Sequence, residues 1–375
     1  MQNIATSFQE FSNVRTKNCV YVDKTMYVHQ IMENGGSFFL ARPRRFGKSL
    51  FVSTLKELAK GNRELFEGTW IADKWDWSHQ YPVINLEISS VSYKFGSTLY
   101  QGLYTRLLHI YKKLKIVPEE GIALKQLFEN LVLALYEQGG KVVILIDEYD
   151  KPITELVEEH DAALLQERKE TLKDFYSVLK GSEDMIYCTF ITGVTKYAKI
   201  SIFSDLNHLQ DITFDERFVG GFGYTQNELE MNFAAHIDYT MEKMPEFKTR
   251  EAFLAEMKIW YNGYTWDGKT KIYNPFGIAH FFCKRMFTNS WFESATPSFL
   301  IERLMVENEV NFQYFEMNID HLNFKTIEEV ELPVLLFQSG YLTITEMDNY
   351  GNVTLYYPNR EVRESMYHYI LNASK

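Results

Sequence analysis

The chain of 375 residues is long enough for two or three packed units and too long for one ordinary hydrophobic core. Its 46% hydrophobic and 24% charged residues are typical of a globular protein and argue against a disordered chain. The net charge of −11 makes it a poor candidate for wrapping nucleic acid over its whole surface, although a local basic patch is not excluded.

The three cysteines, Cys19, Cys188 and Cys283, lie far apart and show neither metal-ligand spacing nor a disulfide framework. This pattern favours a reducing cytoplasm. No apolar run approaches the ~18 residues of a membrane-spanning helix, and the N-terminal MQNIATSFQEF lacks the features of a signal peptide. We therefore expect a cytoplasmic protein without a membrane partner.

Apolar strands alternate with helical segments up to about residue 215. Such alternation requires crossover connections and therefore predicts a mainly parallel sheet. The predicted strands are 38–43, 81–89, 141–150, 185–195 and 208–213, and the predicted helices are 48–59, 96–114, 121–138 and 161–181.

The pattern changes after residue 215. Segments 226–260 and 276–310 have helical periodicity, and an aromatic, turn-rich segment at 260–275 lies between them. Near the C-terminus a short helix ends at Gly340 and a final helix begins after Pro358 and Asn359.

Two predicted strands, 342–347 and 353–357, flank a turn at 348–351 and indicate a hairpin. Helix, hairpin and helix together suggest a winged-helix-like α+β unit. We predict a first domain at 1–215, a helical lid at 216–285 and the winged-helix-like unit at 286–375.

Gly47, Lys48 and Ser49 match the end of the phosphate-binding pattern G-x-x-x-x-G-K-[ST], after a predicted strand and at the start of a predicted helix. The first glycine of the pattern falls on Arg42, and Pro43 favours an extended Arg42, so the loop should enter differently from a glycine-led one.

The helix start would gather an anion, Lys48 would reach the outer phosphates of a nucleotide, and the Ser49 hydroxyl would ligate Mg²⁺. The alternative is a basic surface turn before a helix. The predicted nucleotide-contacting residues of this loop are Arg42, Pro43, Arg44, Arg45, Phe46, Gly47, Lys48, Ser49 and Leu50.

The strand 141–150 ends in acidic residues, as an ATPase requires. Asp147 is placed to hold Mg²⁺, and Glu148 is placed to act as the base that orients the attacking water. The alternative is an ordinary pair of solvated carboxylates. The combination with the Gly-Lys-Ser sequence favours an α/β P-loop NTPase with a mainly parallel sheet, followed by the lid and the winged-helix-like unit.

Two further residues are candidates for sensing phosphate. Thr192 and Thr195 end the strand 185–195, where either hydroxyl could sense the γ-phosphate or simply cap the strand. Arg217 lies just after the first domain and could contact phosphate, in its own chain or from a neighbouring subunit, or form a surface salt bridge. The predicted catalytic residues are Glu148, Lys48 and Arg217.

Several segments carry a resemblance to the bacterial AAA-ATPase-like family, nearly end to end. They are YVDKT at 21–25, RPRRFGKSL at 42–50, LIDEYDKP at 145–152, FITGVTKYAKISIFSDLNHLQDIT at 190–213, WYNGYTW at 260–266, YNPFGI at 273–278 and GYLTI at 340–344.

In this family an arginine-rich loop replaces the glycine-rich one, so the resemblance implies that Arg42, Arg44 and Arg45 belong to the loop. It also implies that the segment 21–25 lies near the nucleotide, although packing of the N-terminal segment is an alternative. Members commonly continue into a nuclease-like domain of the PD-(D/E)XK type. The tail before Lys375 contains no Asp followed by an E-x-K strand, so nuclease activity is not expected here.

We expect an ATP-binding and ATP-hydrolysing switch that uses ATP or ADP with Mg²⁺ and acts on a protein partner or through self-association. One alternative is a nucleotide-dependent interaction module with little turnover, in which 260–275 contacts a protein rather than packing in the core. The other is an ATP-regulated DNA-binding protein. It is less favoured because 331–371 carries only Arg360 and Arg363 as basic residues, against a larger number of acids.

Overall fold

The structure is a computed structural model. It describes residues 1–6, 9–93, 96–156, 161–196, 202–203, 206, 208–290, 314–322 and 330–373. The strands are β1 Gly36–Ala41, β2 Val83–Glu87, β3 Val142–Asp147, β4 Ile186–Gly193, β5 Gln210–Asp211, β6 Phe315–Asn318, β7 Thr343–Met347 and β8 Asn352–Tyr356.

The α-helices alternate with these strands in the first half of the chain and dominate the second half. They are α1 Phe11–Thr16, α2 Thr25–Asn34, α3 Lys48–Ala59, α4 Leu99–Leu114, α5 Leu124–Gly139, α6 Lys151–Thr154, α7 Ala162–Gly181, α8 Gln226–Asn232, α9 Ala234–Lys243, α10 Arg250–Tyr261, α11 Pro275–Lys284, α12 Leu332–Ser339 and α13 Arg360–Ala373. Short 3₁₀ turns lie at Arg63–Phe66, Ile88–Ser90, Glu183–Met185, Glu216–Gly221 and Ile319–Leu322.

The described residues divide into two compact units, each built from separate stretches of chain. One unit comprises Thr25–Ala41 and Phe51–Ile212, and we call it the sheet unit. The other comprises Met1–Lys24, Arg42–Leu50 and Thr213–Lys375, and we call it the loop unit. The predicted domain boundaries after residues 215 and 285 stay a prediction.

The sheet unit contains five strands in the order β2-β3-β4-β1-β5, and every pairing is parallel. The predicted parallel sheet is therefore confirmed. β3 is buried along its whole length, as its run of β-branched and apolar residues predicts. Because parallel strands end at one edge, Asp147 of β3 and Gly193 of β4 share an edge with Ala41 of β1, which pairs with Gly193.

The loop unit contains helices and a small antiparallel sheet in the order β6-β8-β7. The predicted hairpin is confirmed as β7 and β8, while β6 was not predicted. The fold class is thus confirmed as α/β with a mainly parallel sheet, followed by a helical region and a small sheet. A hydrophobic core lies among α8 to α11, and the N-terminal segment contributes to it. Its members are Val20, Val22, Leu229, Phe233, Ile237, Met244, Phe253, Met257, Tyr261, Tyr273, Ile278, Phe281 and Phe282.

Several predicted boundaries were wrong, among them the ends of two strands and of one long helix. β1 ends at Ala41 rather than 43, because Pro43 has no N–H to donate to a sheet. β3 ends at Asp147 rather than 150, because Glu148 turns the chain with a φ of +55°. The helix predicted at 276–310 ends at Lys284, and positions 291–310 lie outside the described residues.

Candidate functional site

The Gly-Lys-Ser sequence stands at the start of a regular helix. Lys48 is the first residue of α3, and Gly47 before it has a φ of +84°. A side chain at this φ would be strained, so the backbone itself requires glycine here. Arg45 also has a positive φ, of +72°, which is uncommon for a residue with a side chain and often occurs at ligand sites.

The Lys48 ammonium group is held by the loop that precedes it. Only 6% of Lys48 is exposed, and its Nζ donates to the carbonyl oxygens of Arg42, at 2.9 Å, and Pro43, at 3.0 Å. The lysine therefore bonds to the backbone of the loop that precedes it.

The three loop arginines differ in their surroundings. Arg42 is 1% exposed, donates to the Thr213 carbonyl at 2.6 Å and lies 4.1 Å from the centroid of the Trp266 ring. Arg45 is exposed and lies 4.5 Å from the ring centroid of Phe276, while Arg44 is half-buried. The sequence did not distinguish the three arginines, whereas in the structure Arg42 is buried and stacked on a ring and Arg45 is exposed.

Phe46 packs edge-on against two aromatic rings of the segment 260–275. Its ring centroid lies 4.8 Å from that of Tyr264 and 5.4 Å from that of Trp266. The rings of Tyr264 and Trp266 are themselves buried. Sequence reasoning noted the aromatic character of this segment but did not identify the phosphate loop as its neighbour.

In the sheet unit, two of the predicted site residues come together. Thr192 is fully buried and its Oγ1 donates to Oδ1 of Asp147 at 3.1 Å. Asp147 is 5% exposed. The hydroxyl fixes the orientation of the carboxylate, in the manner of the outer-shell partners that orient metal ligands.

Glu148 lies immediately beyond β3, half-buried, in the left-handed region with a φ of +55°. Its carbonyl oxygen accepts from the Lys151 N–H at 3.0 Å, which closes a turn. Strained positions of this kind cluster at functional sites, and this one is the predicted base.

Asp150 was missed by sequence reasoning. It is 2% exposed, and its carboxylate accepts from the N–H groups of Val194, at 3.1 Å, and Thr195, at 2.8 Å, and from Thr195 Oγ1 at 2.6 Å. Burial raises the pKa of Asp150, although these hydrogen bonds oppose the rise. Asp150 thus ties the end of β3 to the end of β4, and its only sequence signal was its place as the second aspartate in DEYD.

Arg217, predicted as catalytic, forms an ion pair on the surface of the loop unit. Its side chain is 71% exposed, and its Nε and Nη2 donate to both carboxylate oxygens of Asp215. The hydrogen bond from Arg217 lowers the pKa of Asp215. This is the salt bridge that the sequence offered as the alternative, and a role at phosphate stays a prediction.

Lys24 of the YVDKT segment is buried within the loop unit. Its Nζ donates to the Gly220 carbonyl at 2.7 Å and to the Glu228 carboxylate at 2.5 Å. Burial lowers the pKa of Lys24, and the charge of Glu228 opposes this effect. The contacts describe packing of the N-terminal segment, and a place near a nucleotide stays a prediction.

The proposed magnesium ligands fit the chemistry of that ion. The Ser49 hydroxyl and the Asp147 carboxylate are oxygen donors, which Mg²⁺ prefers, and Mg²⁺ commonly takes its remaining ligands from phosphate and water. Among the described residues, no three His, Cys, Asp or Glu side chains gather into a metal-binding group. No helix within those ranges is both long and apolar enough to cross a membrane.

A helix that begins at Gly-Lys-Ser after a parallel strand defines the class as a P-loop α/β protein. The model of the family described as "Predicted AAA-ATPase" matches residues 5–203. A protein of Azotobacter chroococcum mcd 1, described as "Uncharacterized protein in vnfD 5'region", is 36% identical over 378 residues, which cover 97% of this chain and 69% of that protein. The chain belongs to the predicted AAA-ATPase family.

Two solved structures are similar at low sequence identity. The Aeropyrum pernix ORC2 protein, in ADPNP–ADP complexes, is 12% identical with a TM-score of 0.39, and Cdc6p from Pyrobaculum aerophilum is 10% identical with a TM-score of 0.33. Each match covers 94% of this chain and 92% of the other. Similarity at this level carries no argument about what this chain binds.

Proposed function

We propose that the protein is a Mg²⁺-dependent ATPase switch that binds ATP at the loop 42–50, hydrolyses it and passes its nucleotide state to a partner. The observation that carries the proposal is the start of α3, where Gly47 has a positive φ and the Lys48 ammonium is bound to loop carbonyls. Membership of the predicted AAA-ATPase family supports it.

The binding chemistry follows from the helix start. The first turn of α3 carries the positive end of the helix dipole, which favours a bound anion. A phosphate bound at this helix start would draw the Lys48 ammonium away from the two carbonyl oxygens, because a bond between two charged groups is stronger than a bond to a neutral carbonyl. Arg45, exposed on the same loop, would add a guanidinium to the anion site.

The hydrolysis chemistry would come from the ends of β3 and β4. Mg²⁺, when bound, would neutralise the charge on the phosphate oxygens. Asp147 would hold the ion, with its carboxylate in the orientation that the Thr192 hydroxyl sets. Glu148 would orient the attacking water and accept its proton.

Turnover tests this assignment. We expect ATP-dependent phosphate release by the wild type and a loss of at least about 100-fold in Glu148→Gln, since the amide cannot accept the proton. Glu183→Gln, at an exposed glutamate of the same unit, serves as the matched control and should keep the wild-type rate. An unchanged rate in Glu148→Gln would overturn the assignment of the base. A wild type that binds nucleotide without turnover would instead be an interaction module.

We also propose that Arg217 contacts phosphate during turnover, with Asp215 holding its guanidinium until then. Arg217→Ala should lower kcat by about tenfold or more, since arginine contacts to a transferring phosphoryl group have effects of at least this size. The control is Arg250→Ala, which removes a similar ion pair, to Asp238, in the same unit. Equal rates in the two variants would leave Arg217 as a surface residue.

A further inference from the structure

The arginine-rich loop is anchored at both ends to one aromatic segment. Arg42, at its start, stacks at 4.1 Å on Trp266, and Phe46, just before Gly47, packs on both Trp266 and Tyr264. All four side chains belong to the loop unit and are at most 3% exposed. The contacts are therefore desolvated, which makes a cation–aromatic pair stronger than on a surface.

Arg42 and Phe46, the two anchored residues, flank the loop backbone that binds the Lys48 ammonium group. The two carbonyl oxygens that accept from Lys48 Nζ belong to Arg42 and Pro43. If Trp266 fixes Arg42 and Phe46, it also fixes the backbone that sets the position of the ammonium group. The residues that turn the loop, Arg44 and Arg45, lie between the two anchors.

The same aromatic segment is bonded to the small antiparallel sheet. The Thr265 N–H donates to Thr343 Oγ1 at 2.8 Å, and that hydroxyl donates to the Thr265 carbonyl at 3.1 Å. Thr343 is the first residue of β7. Gly268, with a φ of +71°, brings the chain so close to β7 that an added Cβ would lie 3.0 Å from Cβ of Met347.

We propose that Trp266 and Tyr264 are positioning residues for Lys48, and that the segment 264–268 couples the phosphate loop to β7. The inference rests on the proposed nucleotide binding at this loop. Phosphate binding would displace the Lys48 ammonium from the Arg42 and Pro43 carbonyls. Because Arg42 is held by Trp266, the change would reach Thr265 and, through its reciprocal hydrogen bonds, Thr343.

Calorimetric titration of the full chain with Mg²⁺-ADP tests the positioning role. Trp266→Leu should weaken ADP binding about tenfold, since it removes a desolvated cation–aromatic pair and an edge-on ring contact. Trp266→Phe keeps an aromatic face and should restore affinity to within about threefold. The matched control is Trp260→Leu, because the Trp260 ring packs on Phe287 and its Nε1 donates to Glu256.

Hydrogen exchange of the same samples tests the coupling to β7. ADP should slow amide exchange in 264–268 and in 343–347 of the wild type, and Trp266→Leu should reduce the effect at 343–347. Should Trp266→Leu fail to fold, Phe46→Leu removes the same ring contact from the loop side. When both fold, the double variant should lose less affinity than the sum of the two single losses, because both changes remove the contact between Phe46 and Trp266.

The outcomes separate the two proposals. If the wild type binds no nucleotide, the proposed function fails and this inference fails with it. If the wild type binds but Trp266→Leu and Phe46→Leu bind equally well, the positioning role is overturned while the proposed function stands. If ADP leaves exchange at 343–347 unchanged in the wild type, the coupling to β7 is overturned.

Discussion

Asp150 offers the sharpest test of how the acidic edge of the sheet is held together. Its buried carboxylate is the acceptor for the backbone N–H groups of Val194 and Thr195 and for the Thr195 hydroxyl. Replacing Asp150 with alanine leaves these donors without this acceptor inside the protein. The substitution therefore removes hydrogen bonds from the turn that directly follows Gly193, the last residue of β4.

The expected loss of stability in Asp150→Ala follows from the three donors that lose their acceptor. Each buried donor without a partner costs about 1–3 kcal/mol, which gives a loss of several kcal/mol for two amides and a hydroxyl. Removing a buried carboxylate also removes its desolvation cost, which offsets part of the loss. We expect Asp150→Ala to lower the free energy of unfolding by about 2–4 kcal/mol.

Asp150→Asn should be much milder. An amide oxygen placed where Oδ2 lies keeps the bonds to Val194, at 3.1 Å, and to Thr195, at 2.8 Å and 2.6 Å. The amide nitrogen then faces only the longer contact of 3.3 Å from the Val194 N–H. Because the substitution also removes a buried charge, we expect Asp150→Asn to lower the free energy of unfolding by less than about 1.5 kcal/mol.

Urea denaturation followed by circular dichroism measures these differences. The matched control is Asp76→Ala, since Asp76 also accepts from a backbone N–H and a hydroxyl, both of Ser78, but is exposed. Its removal should change stability by no more than about 0.5 kcal/mol. An Asp150→Ala loss as small as that of Asp76→Ala would refute the reasoning, and so would equal losses in Asp150→Ala and Asp150→Asn.

The pH dependence of the same comparison has a definite sign. Burial raises the pKa of Asp150 in the folded state, so the folded chain binds this proton at a pH where the unfolded chain has released it. Stability of the wild type relative to Asp150→Asn should therefore be highest below the unfolded pKa and should fall as the pH rises through the folded pKa. The opposite slope would show that the hydrogen bonds outweigh burial.

Two further predictions concern a close glycine contact and the reactivity of two cysteines. Gly193→Ala should lower the free energy of unfolding by about 1–3 kcal/mol, because the added Cβ would lie 2.5 Å from the Tyr149 ring. Gly181→Ala should be neutral or stabilising, because its Cβ would lie 3.9 Å from its nearest neighbour. Equal effects of the two substitutions in urea denaturation would contradict this prediction. Burial raises the pKa of the Cys188 thiol to about 12. Alkylation of the native protein at about pH 8 should therefore label the exposed Cys283 and spare Cys188. Rapid labelling of Cys188, detected by mass spectrometry, would refute this prediction.

The parts of the site that sequence reasoning located are those encoded by short-range patterns. The Gly-Lys-Ser sequence after an apolar strand predicted the helix start at Lys48. The apolar run of β3 predicted a buried strand that leads into Asp147, although its end was placed at residue 150. Parallel strands end at one edge, so the neighbourhood of Asp147 and Thr192 followed from the predicted strand ends.

The parts that it missed depend on residues far apart in the chain. Nothing local to Arg42 shows that its guanidinium is buried against Trp266, and the aromatic segment is equally compatible with a core or a surface. Strand β6 is only four residues long and pairs with β8 much later in the chain, so it has no hairpin signal. The conformation of Glu148 is also set by its tertiary surroundings, because non-glycine residues rarely adopt a φ of +55°.

The central claim is that the arginine-rich loop binds nucleotide phosphate through Lys48. Calorimetric titration of the wild type and Lys48→Ala with Mg²⁺-ATP and Mg²⁺-ADP tests it most directly, with Lys60→Ala, at an exposed lysine just after α3, as the matched control. The account predicts a Kd of roughly micromolar or tighter for the wild type and Lys60→Ala, equivalent to about 8 kcal/mol of binding free energy, and no measurable binding by Lys48→Ala. A folded wild type that binds neither nucleotide, or a Lys48→Ala variant that binds as tightly as the wild type, would contradict it.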